Sequence, residues 1–251
     1  MKNSSTDNPR AFKMIDTEKV NSENWYLWKD AARSPFFNMA ADECILENSE
    51  SIAVPLLRIY GWDRPSVSIG YTQDYNAAPH REYTVVRRPT GGGIVYHDKD
   101  LTYTIMIPGG HSILSLDRVE SYHVFHRAVL RALASFGHKG VLSDKSVPAV
   151  DRATMRCFVT PTRYDVVCKN KKYAGSAQRR TKKGILHQGS ILLEAADGNM
   201  DLLAERLVSA FAEEFSISFM PFSPDPEFIR QIDSLEKEKF SKTEWNISKI
   251  H

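Results

Sequence analysis

The residues with most chemical content lie between Val85 and Pro108, in the stretch VVRRPTGGGIVYHDKDLTYTIMIP. Gly91, Gly92 and Gly93 lack Cβ atoms, so the chain there can take positive φ and bring backbone N–H groups close to a ligand oxygen. Arg87 and Arg88 precede them and Tyr96, His97 and Asp98 follow, which surrounds the turn with polar groups. Such a turn can cradle a phosphate or a carbonyl oxygen. An ordinary glycine-rich hairpin has the same composition, and three glycines alone do not separate the two readings. A P-loop or dinucleotide site fits poorly: no Gly-Lys-Ser/Thr follows at the required spacing, and the next run reads as a strand where those motifs need a helix.

Positioning that turn takes two strands. Thr84–Arg88 reads as the first, ended by Pro89, which removes a ladder donor. Leu101–Ile107, with Thr102 and Thr104 alternating against apolar neighbours, reads as the second. Upstream, Ser34-Pro35 predicts a helix entry, and Asn38–Glu47 is rich in helix formers. Asp42 and Glu43 are adjacent there and do not share a face, which predicts solvated or capping roles. Pro55–Gly70 predicts two short strands broken at Gly61–Pro65, with Tyr60 and Trp62 either walling an apolar slot or packing in the core. Asp117–Phe136 is the clearest helix: Asp117 and Glu120 have capping-box spacing, Tyr122, Phe125, Val129, Leu133 and Phe136 recur at helical intervals, and Gly137 stops it. His123, His126 and His138 read as structural or surface residues. Lys139–Arg156 reads as an irregular connection, Tyr164–Val167 and Tyr173–Ala177 as hairpin strands around Asn170, and Ile185–Leu193 as a returning strand. Met200–Phe215 and Pro226–Lys239 read as helices.

At 251 residues, with 42% hydrophobic and 25% charged residues, the chain can form one large domain with a packed core. Residues 1–22 read as a loose leader, with a short strand near Phe12–Ile15, and residues 23–251 as a single domain with a helical C-terminus. The net charge of +2 argues against a generic nucleic-acid binder. Met1–Arg10 lacks an apolar signal core, and no apolar run approaches the roughly 20 residues of a membrane helix, so a cytoplasmic location without membrane partners is expected. Cys44, Cys157 and Cys168 are odd in number and lack metal-ligand spacing, so they read as thiols of a reducing compartment and no metal site is expected.

Separated segments spread over residues 35–246 resemble the lipoate–protein ligase and octanoyltransferase family, relatives of biotin protein ligase. The glycine turn is similar to that family's R-R-x-[ST]-G-G-G/R-x-V-x-H-D segment through Arg87, Arg88, Thr90, Gly91, Gly92, Gly93, Val95, His97 and Asp98. Phe37-Asn38-Met39-Ala40 with Asp42-Glu43, and Arg58-Ile59-Tyr60-Gly61-Trp62, extend the likeness. A third block supplies Lys172, Ala174-Gly175-Ser176-Ala177-Gln178 and His187-Gln188-Gly189-Ser190. Cys157-Phe158 with Pro161 and Tyr164 resembles the C-F-x-x-P-x-x-Y segment of the cysteine-dependent octanoyltransferases, as does Thr243-Glu244-Trp245-Asn246 their tail, and the chain stops before the accessory domain of the larger ligases.

The resemblance implies an α+β fold with a mixed, largely antiparallel central sheet and flanking helices. It implies transfer of an octanoyl or lipoyl group to a lysine of a lipoyl carrier domain, with Cys157 carrying the acyl group as a thioester and Lys172 presenting a cation to a carbonyl or phosphate oxygen. A nearby cation would also lower the Cys157 pKa, whereas a lone cysteine otherwise serves as a small buried hydrophobe, the reading kept for Cys44 and Cys168. Tyr60, Arg87, Arg88, Thr90, Gly91, Gly92, Gly93, Val95 and His97 are the implied substrate contacts on one side. Gly175, Ser176, Ala177, His187, Gly189 and Ser190 are those on the other. The implied donor is octanoyl-acyl carrier protein, and the acceptors are lipoyl domains of 2-oxoacid dehydrogenases or the glycine cleavage H protein. Arg179, Arg180, Lys182 and Lys183 would steer such acidic carriers, or simply form a solvated turn. The transferase needs no cofactor beyond its octanoyl or lipoyl substrate. The spelling Gly93-Ile94-Val95-Tyr96 is closer to the ATP-dependent ligases, which leaves open a lipoyl-adenylate route using ATP and Mg with Cys157 dispensable. A catalytically silent acyl- or nucleotide-binding module is the third alternative.

Overall fold

The computed structural model of the chain describes residues 23–144 and 162–249. An eight-stranded sheet forms its centre, in the order β11-β1-β2-β6-β10-β9-β8-β7. Its middle strands are β2 (Leu56–Tyr60), β6 (Asp100–Pro108) and β10 (Gly184–Leu192), flanked by β1 (Asn24–Lys29) and β11 (Ser218–Pro221) on one side. On the other side stand β9 (Lys171–Thr181), β8 (Val166–Cys168) and β7 (Val141–Leu142). The β1–β2 and β1–β11 pairs are parallel and all others antiparallel, which is the mixed, largely antiparallel sheet expected. The β8–β9 hairpin turns at Lys169 and Asn170, both at positive φ (48° and 64°), the pairing that matches strand twist in a two-residue turn.

Period-two alternation on β6 and β10 divides the molecule. Leu101, Tyr103, Ile105 and Ile107 face α3 (Arg118–Ala134) and α4 (Met200–Phe215), packing with Phe125, Val129, Leu203, Leu207 and Phe211. Met106 and Leu186 face the opposite way, onto α1 (Pro35–Glu47) and α5 (Pro226–Leu235), with Met39, Ile45 and Ile232. The capping box of α3 is present as expected, and Gly137 follows the helix at φ +80°.

Helix α1 starts where Ser34 Oγ accepts the Phe37 N–H at 2.9 Å and Pro35 occupies the first turn, and a single-turn helix, α2 (Ser49–Ile52), follows it. Most of it is buried between the sheet and α5, so its polar residues are not solvated. This corrects the expectation for Asp42 and Glu43. Asp42 accepts from Arg58, Tyr60, Thr104 and Gln188, and Glu43 pairs with Lys239 at 2.6 Å and with Arg179 at 3.3 Å. Adjacent helical residues do point apart, but here each direction meets protein.

A second, three-stranded sheet, β4-β3-β5, lies beside the first and carries the glycine turn. Its strands are β3 (Ser66–Ile69), β4 (Thr84–Arg87) and β5 (Val95–His97), over a small core of Val67, Ile69, Val85 and Ile94. A short helix α6 (Thr243–Ser248) closes against β4.

Candidate active site

A narrow pocket, open to solvent at its mouth, lies between the two sheets and α1. Met39, Tyr60, Trp62, Val95 and Ala177 give it apolar walls. Its polar rim is Ser68, Arg88, His97, Thr102, Lys172, Ser176, Gln188 and Ser190, with Gly175 and Gly189 between. Tyr60, Arg88, Val95, His97, Lys172, Gly175, Ser176, Ala177, Gly189 and Ser190, expected from sequence, are thus brought together. Met39, Ser68, Thr102 and Gln188 join them without having been singled out as site residues. Thr102 carried a signal, the polar half of an alternating strand, while Ser68 carried none.

Arg88 builds the glycine turn. Its guanidinium donates to the carbonyls of Gly91 (2.6 and 3.1 Å) and Gly93 (2.7 Å), and to Ser68 O and Oγ (2.9 and 3.1 Å). Because a trans peptide sets N–H opposite C=O, the N–H groups of Gly92 and Ile94 point away from Arg88. Gly92 sits at φ +86°, and its carbonyl lies so close to Gly70 that a Cβ there would overlap it. The glycines themselves stand behind Arg88 and outside the pocket wall.

Arg87 and Thr90 are also outside that wall. Arg87 is fully buried and spends its donors on the carbonyls of Gly70, Tyr71, Gln73, Asn246 and Ile247. It therefore ties α6 to the base of the glycine turn, which accounts for the Trp245-Asn246 tail motif. Thr90 donates to Gln188 Oε1 at 2.6 Å and so orients that pocket amide, whose nitrogen donates to Asp42.

On the opposite rim, Lys172 pairs with Asp165 at 2.7 Å, both about 3% exposed. A Cβ at Gly175 would overlap Lys172 Cε and Nζ, so glycine is what lets the ammonium cross the strand there. Gly189 has the same function for the ring of Tyr103. Next to Lys172, Ser176 Oγ lies 2.6 Å from His126 Nε2, and His126 Nδ1 lies 2.5 Å from the Tyr164 carbonyl. A carbonyl only accepts, so Nδ1 carries the proton and Ser176 donates to Nε2. Burial lowers the pKa of His126, partly offset by Asp165. His126 is fully buried directly behind the pocket, where it holds Ser176.

His187 departs from the expected placement. The register that sends Gln188 and Ser190 toward the pocket sends His187 to the α3 face, with its ring 4.7 Å from Phe125 and Gln178 at 3.0 Å from Nδ1. Burial holds its pKa well below the usual histidine value. Cys157 lies outside the described residues, as do the leader and most of the connection before Tyr164. Cys44 and Cys168 are buried free thiols, and burial with the nearby Glu43 and Glu47 pushes Cys44 up to about 12, which keeps it an unreactive thiol. No described helix is long and apolar enough to cross a membrane.

The architecture places the chain in the class of lipoate-ligase folds. A putative lipoate protein ligase from T. acidophilum with bound lipoic acid superposes with TM-score 0.73 at 21% identity, over 90% of this chain and 100% of that one. Lipoate-protein ligase A bound with ATP superposes with TM-score 0.69 at 22% identity, over 91% and 100%. Within that class, residues 34–216 match the model of the lipoyl protein ligase A/B catalytic domain, and the chain belongs to that family. The octanoyltransferase LipM of Bacillus anthracis is 30% identical over 92% of this chain and 100% of its own length, and that of Kyrpidia tusciae is 32% identical over 88% and 87%.

Proposed function

We propose that the chain is an acyltransferase that moves an octanoyl or lipoyl group onto a lysine of a lipoyl carrier domain, from octanoyl-acyl carrier protein through a thioester on Cys157. The observation that carries this reading is the pocket: apolar walls with the buried Lys172 ammonium in its lining, in a chain whose curated relatives are octanoyltransferases. The acyl chain occupies the slot between Met39, Tyr60, Trp62 and Val95, where burial of each CH₂ contributes about 0.8 kcal/mol. Lys172 stabilises the oxyanion that develops on the acyl carbonyl as the Cys157 thiolate attacks and the carrier thiol leaves. The acceptor amine then attacks the Cys157 thioester, releasing the thiol.

The deciding experiment compares wild type with Cys157→Ser, using octanoyl-carrier protein without ATP and, separately, lipoate with ATP and Mg. ATP-independent transfer lost in the variant, with an octanoyl adduct trapped on wild-type Cys157 by mass spectrometry, is the expected result. Activity that needs ATP and survives the substitution would replace this reading with the ligase route. No acyl mass added to a lipoyl domain from any donor, while acyl ligand still binds, would leave only a binding module.

A further inference from the structure

We infer that Ser68, His97 and Asp100 form a proton relay that takes the proton from the acceptor lysine during transfer, an inference that rests on the reading above. His97 Nδ1 lies 2.8 Å from Asp100 Oδ2, and His97 Nε2 lies 2.8 Å from Ser68 Oγ. A carboxylate accepts only, so Nδ1 carries the ring proton and Nε2 accepts from the Ser68 hydroxyl. The ring cannot turn away. It stacks on Trp62 at 3.9 Å and 15°, Trp62 Nε1 donates to Thr102, and Thr102 and Ser190 both donate to the same Asp100 oxygen.

The Ser68 oxygen accepts at two positions. Arg88 fills one at 3.1 Å, and Ser68 and His97 both border the pocket, so an amine arriving there can donate to the other. An acceptor lysine arrives as an ammonium and must lose a proton before it can attack. One proton passes through Ser68 to His97 Nε2 and then back through Ser68 to water at the open mouth of the pocket. As the nitrogen–carbon bond forms and the carbon–sulfur bond breaks, the second proton shed by nitrogen takes the same route and returns to the departing thiolate. Asp100 stabilises the intervening imidazolium, as a carboxylate behind a histidine does in hydrolases.

The other pocket groups suit the task less well. Lys172 is paired with the Asp165 carboxylate, and His126 Nδ1 donates to a backbone carbonyl in a buried setting that disfavours its protonated form.

The test loads the protein with octanoyl groups from octanoyl-carrier protein, then times release to a lipoyl-domain lysine and, in parallel, to hydroxylamine, an amine already neutral at neutral pH. In His97→Gln and in the smaller change Ser68→Ala, lysine transfer should fall about 100-fold. The ratio of hydroxylamine to lysine turnover should rise about tenfold or more, because hydroxylamine needs no relay to become a nucleophile. Equal losses with both acceptors, or lysine transfer at the wild-type rate, would overturn the relay. Wild-type protein that takes up no octanoyl group would remove the transfer reading, and the relay with it.

Discussion

Lys172 is held by a carboxylate and laid over a glycine, so removing it has two separable effects. Lys172→Met leaves Asp165 charged and buried, and should cost about 3–5 kcal/mol in denaturant unfolding. The double variant Lys172→Met/Asp165→Asn should recover most of that stability while transfer stays down by about 100-fold, since the oxyanion has lost its cation. Recovery of activity along with stability would make Lys172 a structural residue only. Glycines of the pocket wall and of the glycine turn differ in the same legible way. Gly189→Ala drives a methyl into the buried Tyr103 ring and should cost about 1–3 kcal/mol, read as a lowered melting temperature. Gly91→Ala meets open space and should stay within about 0.5 kcal/mol.

At the scale of elements, the glycine turn depends on α6. Asn246 Oδ1 accepts the Arg87 N–H at 2.7 Å, and its amide nitrogen caps the Phe240 and Lys242 carbonyls. Asn246→Ala should cost about 1–3 kcal/mol by leaving that buried N–H unpaired, and should weaken acyl binding measured by calorimetry because Arg88 is the next residue on β4. The α3 face supplies a pH dependence. Burial keeps His126 and His187 below the ordinary value of 6.5. Above that value both states are neutral. As pH falls through it toward the folded values, the unfolded chain binds protons that the folded chain refuses. Stability then drops, by up to about 1.4 kcal/mol per pH unit for each histidine. Denaturant unfolding at about pH 7.5 and about pH 5.5 should show the loss, and His187→Phe should shrink the difference.

Across the whole molecule, the basic run beyond the pocket is partly neutralised by α1. Arg179 pairs with Glu43 and Lys183 with Glu47, while Arg180 and Lys182 are exposed. If acidic carriers dock there, Arg180→Glu/Lys182→Glu should slow transfer several-fold at low ionic strength, with the rates converging as salt screens the surface. Rates that are equal at every salt concentration would make the run a solvated turn.

Local signals carried most of the fold. The α3 capping box, the Ser34-Pro35 helix entry, the Asn170 turn and the alternation of Leu101–Ile107 each depend on a few neighbouring residues, and each recurs in the structure. Residue types and spacing also sufficed for the family and for ten of the residues at the pocket, from Tyr60 to Ser190. Tertiary structure alone decided direction and partnership. Asp42 and Glu43 are buried because α5 and the central sheet cover both sides of α1, and nothing within the helix records those coverings. Arg87 reads like Arg88, but successive strand residues point to opposite faces, so one ties down α6 while the other holds the glycine turn. The same period-two rule turns His187 from the pocket that Gln188 and Ser190 reach. Ser68 meets His97 because β3 pairs with β5, a long-range pairing that residue spacing does not record, and Asp100, three residues further along the chain, then completes one hydrogen-bonded line of hydroxyl, imidazole and carboxylate.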